Sequence, residues 1–115
     1  FATDWCGVRS GKDFSKFDEM KLTPGKASIV QVPIIEESPL NIECRVREIL
    51  SLGSHDMFIA DVVNVKADEK YIDPETGKFS LESAKPIAYS HGQYYGLGEK
   101  IGGFGWTVRK KKEEL

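Results

Sequence analysis

At 115 residues, 40% hydrophobic and 30% charged, the chain has the length and composition of one folded domain, long enough to bury somewhat under ~70% of its unfolded surface in a core without staples. A formal net charge of −2 supplies no overall field that would gather nucleic acid or an anionic membrane surface. No apolar run reaches the roughly 20 residues of a bilayer span and no basic-then-apolar leader opens the chain, so the sequence predicts a cytoplasmic protein with neither a membrane nor a nucleic-acid partner.

Phe1 to Val8 is short and aromatic, with Trp5 and Cys6 ahead of Gly7, and reads as the end of a helix or strand. A chain that opens on Phe1 rather than Met reads as a piece of a longer protein. Cys6 and Cys44 show neither a C-x-x-C pair nor zinc-type spacing with His55 or His91, which predicts free thiols in a reducing compartment. Ser10-Gly11-Lys12-Asp13 has capping-box spacing, and Phe14, Phe17 and Met20 follow at helical intervals. The pattern predicts a helix from Lys12 to about Met20, ended by Thr23-Pro24-Gly25. Ser28 to Ile35 is a β-branched run whose Pro33 assigns it to an edge or a bend.

The stretch from Asn41 to Lys66 is the longest β signal. Ile42, Cys44 and Val46 alternate with Glu43, Arg45 and Arg47, predicting a half-buried strand with the apolar set on a core face and the charged set in water. Met57 to Val65 is apolar except at Asp61 and Asn64, as expected of a strand covered on both faces. With Leu52-Gly53-Ser54-His55 between them, the two runs predict a long antiparallel hairpin with His55 at its mouth. Asp73-Pro74-Glu75-Thr76-Gly77-Lys78 predicts a turn, and Pro86 to Ser90 a short strand. His91 to Gly105 holds six of the eleven glycines, a density that brings backbone close to something. Trp106-Thr107-Val108 reads as a last strand, and Arg109 to Leu115 as a solvated charged tail.

Ser10, Gly11 and Lys12 place a hydroxyl, open backbone and an ammonium at one helix N-terminus, which suits either an ordinary cap or a phosphate or carboxylate site. A nucleoside-triphosphate loop is excluded, since Gly7 and Gly11 are too close and Asp13 follows Lys12. Gly96-Leu97-Gly98 with Gly102 is one residue too long for a dinucleotide fingerprint. His55 and His91 lack the neighbours of a metal centre, so no metal is expected. Tyr89, Tyr94 and Tyr95 suit either a platform for a flat ring or core packing. No nucleophile elbow or acid and base carboxylate pair is present, so any hard chemistry falls to a cofactor.

Taken together, CGVRSGKDFSKF, the NIECRV…LGSHDMFIADVV hairpin and IAYSHGQYYGLGEKIGGFGWTVRKK resemble the flavin reductase-like family, which includes the flavoredoxins. The resemblance runs over nearly the whole chain. It implies a mainly β fold, part of an FMN-binding split β-barrel of Greek-key type with one or two short helices, paired as a homodimer with FMN at or near the subunit interface. The implied activity is NAD(P)H-dependent electron transfer through FMN. The alternatives are a flavoredoxin-type electron carrier without NAD(P)H activity, and a non-catalytic fragment that binds no flavin. By the same resemblance Lys12, with Ser10 and Gly11, approaches the FMN phosphate or ribityl chain. His55 reaches the flavin environment, and Tyr89, Tyr94 and Tyr95 line the ring or its access side. Family members are longer, so the resemblance also implies a C-terminal portion of such a domain.

Overall fold

A computed structural model describes residues 1–110; of the charged tail expected over 109–115, residues 111–115 lie outside the described set. The chain divides into two compact units, one spanning Phe1–Ser80 and one beginning at Leu81. The fold is mainly β with a few short helices. Its strands form three separate two-stranded antiparallel sheets, which are not joined into a closed barrel among the described residues.

In the first unit α1 covers Ala2–Val8 and stops where Arg9 turns extended. The helix expected from Lys12 shrinks to α2, Lys16–Glu19, with Ser15 as its N-cap. The reason is local: the Ser10 hydroxyl accepts the Lys12 N–H at 3.2 Å, and the Ser10 carbonyl accepts the Asp13 and Phe14 N–H groups at 3.2 Å each. Ser10 therefore closes a turn of its own instead of starting a helix. Strand β1 (Pro24–Lys26) pairs with β2 (Pro33–Ile35), so the strand expected over Ser28–Ile35 survives only at its end. Gly25 has a packing reason, because a Cβ there would lie 2.8 Å from Glu36 Cγ.

The expected long hairpin is present as β3 (Leu40–Ser51) and β4 (Asp56–Ala67). Its turn is closed by the Leu52 N–H on the His55 carbonyl at 2.8 Å, with Gly53 at φ 94°. Two bulges punctuate the ladder: Val63 is the extra residue of β4 beside Cys44, and Arg47 that of β3 beside Glu48. A bulge shifts which residues face which side. Here the two shifts put Ile42, Cys44, Val46 and Ile49 on one face, opposite Val65, Val62, Ala60 and Phe58 in turn. Without them Glu48 and Asp61 would alternate onto that face.

Which face is buried reverses the sequence expectation. Glu43 is 2% exposed, while Ile42 and Val46 are 56% and 52% exposed. The β4 run expected to be covered on both faces is open, with Phe58 and Val62 both at least 60% exposed. Ala27 is the one buried apolar side chain among the described residues, so they do not gather the core that length predicts.

After β4 a 3₁₀ turn at Glu69–Tyr71 leads to the expected Asp73 turn. There the Asp73 carboxylate accepts the Glu75 and Thr76 N–H groups, and Ile72 bridges Phe79. In the second unit α3 (Leu81–Ala84) precedes the hairpin of β5 (Ile87–Ser90) and β6 (Gln93–Gly96). His91 at φ 52° and Gly92 at φ 74° form its two-residue turn, the paired positive-φ geometry that matches strand twist. Trp106–Val108 is a 3₁₀ turn rather than a strand.

Candidate functional site

The Ser10–Asp13 turn is held from both sides. Trp5 meets Phe14 edge to face at 5.5 Å, the Arg9 guanidinium lies 5.5 Å over the Phe14 ring, and Lys16 Nζ donates to the Cys6 carbonyl at 2.6 Å. These contacts join the residues before and after the turn, so Ser10, Gly11 and Lys12 project from a braced loop. All three are exposed. No heavy atom lies within 4 Å of where a Gly11 Cβ would stand, which leaves room for a group to approach the backbone beside an ammonium and a hydroxyl. The donor set and the space fit a phosphate.

His55 stands at the tip of the β3–β4 hairpin, with Nδ1 2.9 Å from Ser54 Oγ. That bond leaves the Nε2 edge of an exposed ring facing outward. No hydrogen bond or ring contact joins His55 to the Ser10–Lys12 turn among the described residues. In the second unit Tyr89 and Tyr94 are cross-strand partners with rings 5.3 Å apart, edge to face. Tyr95 pairs with Ala88 on the opposite face, and His91 Nδ1 lies 2.8 Å from Ser90 Oγ. Tyr89, Tyr94 and Tyr95 are 67%, 44% and 54% exposed, so among the described residues they are not consumed in a core. Among the described residues no group of three or more His, Cys, Asp or Glu side chains could hold a metal, and no helix is long and apolar enough to cross a membrane.

The residue that sequence reasoning missed is Glu43. Its carboxylate accepts the N–H groups of Ser28, Ile29 and Val30 at 3.2, 2.8 and 3.2 Å, and the Asn64 amide at 2.7 Å. Burial by itself would raise its pKa; the bonds from Ile29, Asn64, Ser28 and Val30 outweigh that and bring it down from 4.5 to about 2. Around it Asn41 exchanges two 3.0 Å bonds with the Ile35 backbone, and Lys66 Nζ reaches the Lys26 carbonyl at 3.1 Å. The signal for Glu43 was the polar break at Asn64, its direct cross-strand partner. The segment so held lines an open concavity of about 390 Å³ formed by Gly25, Lys26, Ala27, Val30, Gln31, Val32 and Pro33. None of the candidate site residues Ser10, Gly11, Lys12, His55, Tyr89, Tyr94 and Tyr95 lines it.

The model of the flavin reductase like domain matches residues 2–98. The uncharacterised protein YwrF of Bacillus subtilis (strain 168) is 30% identical over 96 residues, covering 77% of this chain and 47% of that protein. Among solved structures, the flavoredoxin of Desulfovibrio vulgaris (Miyazaki F) superposes with a TM-score of 0.83 at 25% identity, over 94% of this chain and 58% of that one. An FMN-binding protein from Thermus thermophilus, solved with bound 1-cyclohex-2-enone, gives 0.59 at 27% identity, over 87% and 53%. The chain thus spans about half the length of these relatives. With the family model matched over most of its residues, the chain belongs to the flavin reductase like domain family.

Proposed function

We propose that this chain is part of an FMN-binding, flavin reductase-like oxidoreductase that passes electrons from NAD(P)H through the flavin, in a cytoplasmic homodimer built on a split β-barrel. The observation that carries the reading is the braced Ser10–Lys12 turn inside a flavin reductase like domain match. It offers an ammonium, a hydroxyl and open backbone where an anionic group can dock. When bound, FMN supplies the two-electron chemistry that no side-chain set here provides. Lys12 neutralises the phosphate, with Ser10 and Gly11 shaping its seat. His55 presents its Nε2 edge as a polar contact from the hairpin tip. In the second unit, taken by itself, Tyr89, Tyr94 and Tyr95 present exposed aromatic faces of the kind on which a flat ring stacks.

The test is the visible spectrum of the purified chain after FMN is added and the excess removed. Retained flavin absorbance is expected, with affinity falling about tenfold in Lys12→Ala, the scale of one charge-assisted hydrogen bond. Colourless protein would move the binding determinants outside these residues and favour the reading of a non-catalytic piece. The likeness to a flavoredoxin favours a second reading, an electron carrier with no NAD(P)H site of its own. NADH and NADPH oxidation by the flavin-loaded protein separates the two, since a pure carrier shows none.

A further inference from the structure

Each oxygen of the Glu43 carboxylate takes two of the donors that meet there. Oε1 accepts the Ile29 and Val30 N–H groups at 2.8 and 3.2 Å, and Oε2 accepts the Ser28 N–H at 3.2 Å and the Asn64 amide at 2.7 Å. Donors converging in pairs on both oxygens match the shape of a carboxylate. The loop that carries the backbone donors is fixed at both ends by contacts in which Glu43 takes no part. Lys26 pairs with Pro33 across β1 and β2, so the ladder closes residues 27–32 into a loop. Lys66 Nζ donates to the Lys26 carbonyl, Asn41 exchanges two bonds with the Ile35 backbone, and the Glu37 carboxylate accepts the Thr23 N–H. Asn64 is held separately, in the β3–β4 ladder.

We propose that residues 28–30 and Asn64 form a carboxylate-binding seat that belongs to the loop and the hairpin, with Glu43 as its built-in ligand. Once that side chain is cut back, the seat takes a small free carboxylate such as formate or acetate. Glu43 is 2% exposed, so Glu43→Ala leaves a space walled by the donors rather than open water. The substitution removes a methylene and a carboxylate beyond Cβ, and acetate supplies a methyl and a carboxylate in their place. Ala27 and Val30, which flank the donors along the chain, line the open concavity of about 390 Å³, and this gives a molecule of that size a way in. A spherical chloride lacks the second oxygen and meets one donor pair at a time. All these residues lie in the first unit, and the inference needs no flavin.

The experiment compares the full parent chain, Glu43→Ala and Glu43→Gln in sodium acetate and in sodium chloride of equal ionic strength, at about pH 7, where carboxylates are ionised. Urea denaturation reads the ratio of folded to unfolded chain, and amide chemical shifts with hydrogen exchange read where acetate sits. At about 0.5 M acetate the ratio for Glu43→Ala should rise about tenfold over chloride, while the parent chain and Glu43→Gln, whose seats are filled, change less than about twofold. The acetate-dependent shifts and the regained protection should fall at residues 28–30. If Glu43→Ala is unfolded in chloride, a folded circular dichroism spectrum recovered in acetate is the same result, and a chain unfolded in both salts overturns the proposal. An equal response to chloride, or an equal response of the parent chain, also overturns it. Shifts confined to Ser10–Lys12 overturn it while leaving the phosphate-docking reading of that turn standing, and retained FMN absorbance tests that reading separately.

Discussion

On one face of the β3–β4 hairpin Asn41, Glu43, Asn64 and Lys66 hold the Lys26–Ile35 segment by side-chain to backbone hydrogen bonds. On the other, a row of apolar side chains stands in solvent. The difference is one of direction. A carboxylate that accepts three successive N–H groups specifies a single path for the chain it holds, whereas an apolar face accepts any surface of fitting shape. The polar face is thus satisfied by its own neighbouring loop, and the apolar face leaves its partner open.

The sharpest way to break this contrast is Glu43→Ala, which strips the acceptor from Ser28, Ile29, Val30 and Asn64 at once. It should lower the melting temperature more than any other single substitution in the hairpin or the segment it holds. In hydrogen exchange the amides of residues 28–30 should lose protection while the β3–β4 ladder keeps its own. Protection that persists at residues 28–30 would mean that something other than the carboxylate holds the loop.

Acid removes the same anchor reversibly. The folded pKa of Glu43 lies at about 2, below its ordinary 4.5, so the stability it contributes is complete above about pH 5 and drains away as pH falls from 4.5 towards 2. Urea midpoints measured between pH 6 and pH 3 should fall over that window, and Glu43→Gln should flatten the dependence. A midpoint in the parent chain that stays level to pH 3 would show the carboxylate to be dispensable.

Smaller effects sharpen the comparison within the held segment. Gly25→Ala drives a Cβ to 2.8 Å from Glu36 Cγ and 3.0 Å from Ile34 Cγ1; overpacking of this kind costs about 1–3 kcal/mol. Asn41→Ala removes two neutral bonds to Ile35, a loss of about 1 kcal/mol at an exposed site. Arg47→Ala should be nearly silent, since its 3.9 Å pair with Asp61 joins side chains 73% and 64% exposed, and such pairs contribute under about 0.5 kcal/mol. Chemical denaturation of the three variants in one buffer ranks them, and Arg47→Ala costing more than Asn41→Ala would reverse the expected order.

Much of the architecture was legible. The hairpin from Asn41 to Lys66, its Leu52–His55 turn, the Asp73 turn and the short strand ending at Ser90 follow from β-branched runs and turn residues whose preferences are local. The helix start at Ser10 was misplaced because the same hydroxyl that caps a helix can close an isolated turn. The strand over Ser28–Val30 was misplaced because those N–H groups bond to a carboxylate from a distant strand. Of the residues singled out for a site, His55 lies at the hairpin tip that the Leu52–His55 break predicts, whereas Ser10 to Lys12 form an isolated turn instead of the expected helix N-terminus, and the cross-strand pairing of Tyr89 with Tyr94 had no local signal. Glu43 looked like a solvated charge because its neighbours alternate.

The sequence by itself determined the order of turns and strands, the placement of glycine at Gly53 and Gly92, where φ is positive, and the family to which the residues belong. Those properties depend on neighbours along the chain. Only the tertiary structure decided that Glu43, at one end of the hairpin's polar face, is the covered side chain. That outcome required Asn64 to meet Glu43 across 21 residues and the loop at residues 28–30 to turn its amides inward, and alternation within one strand carries no information about which face another segment will choose.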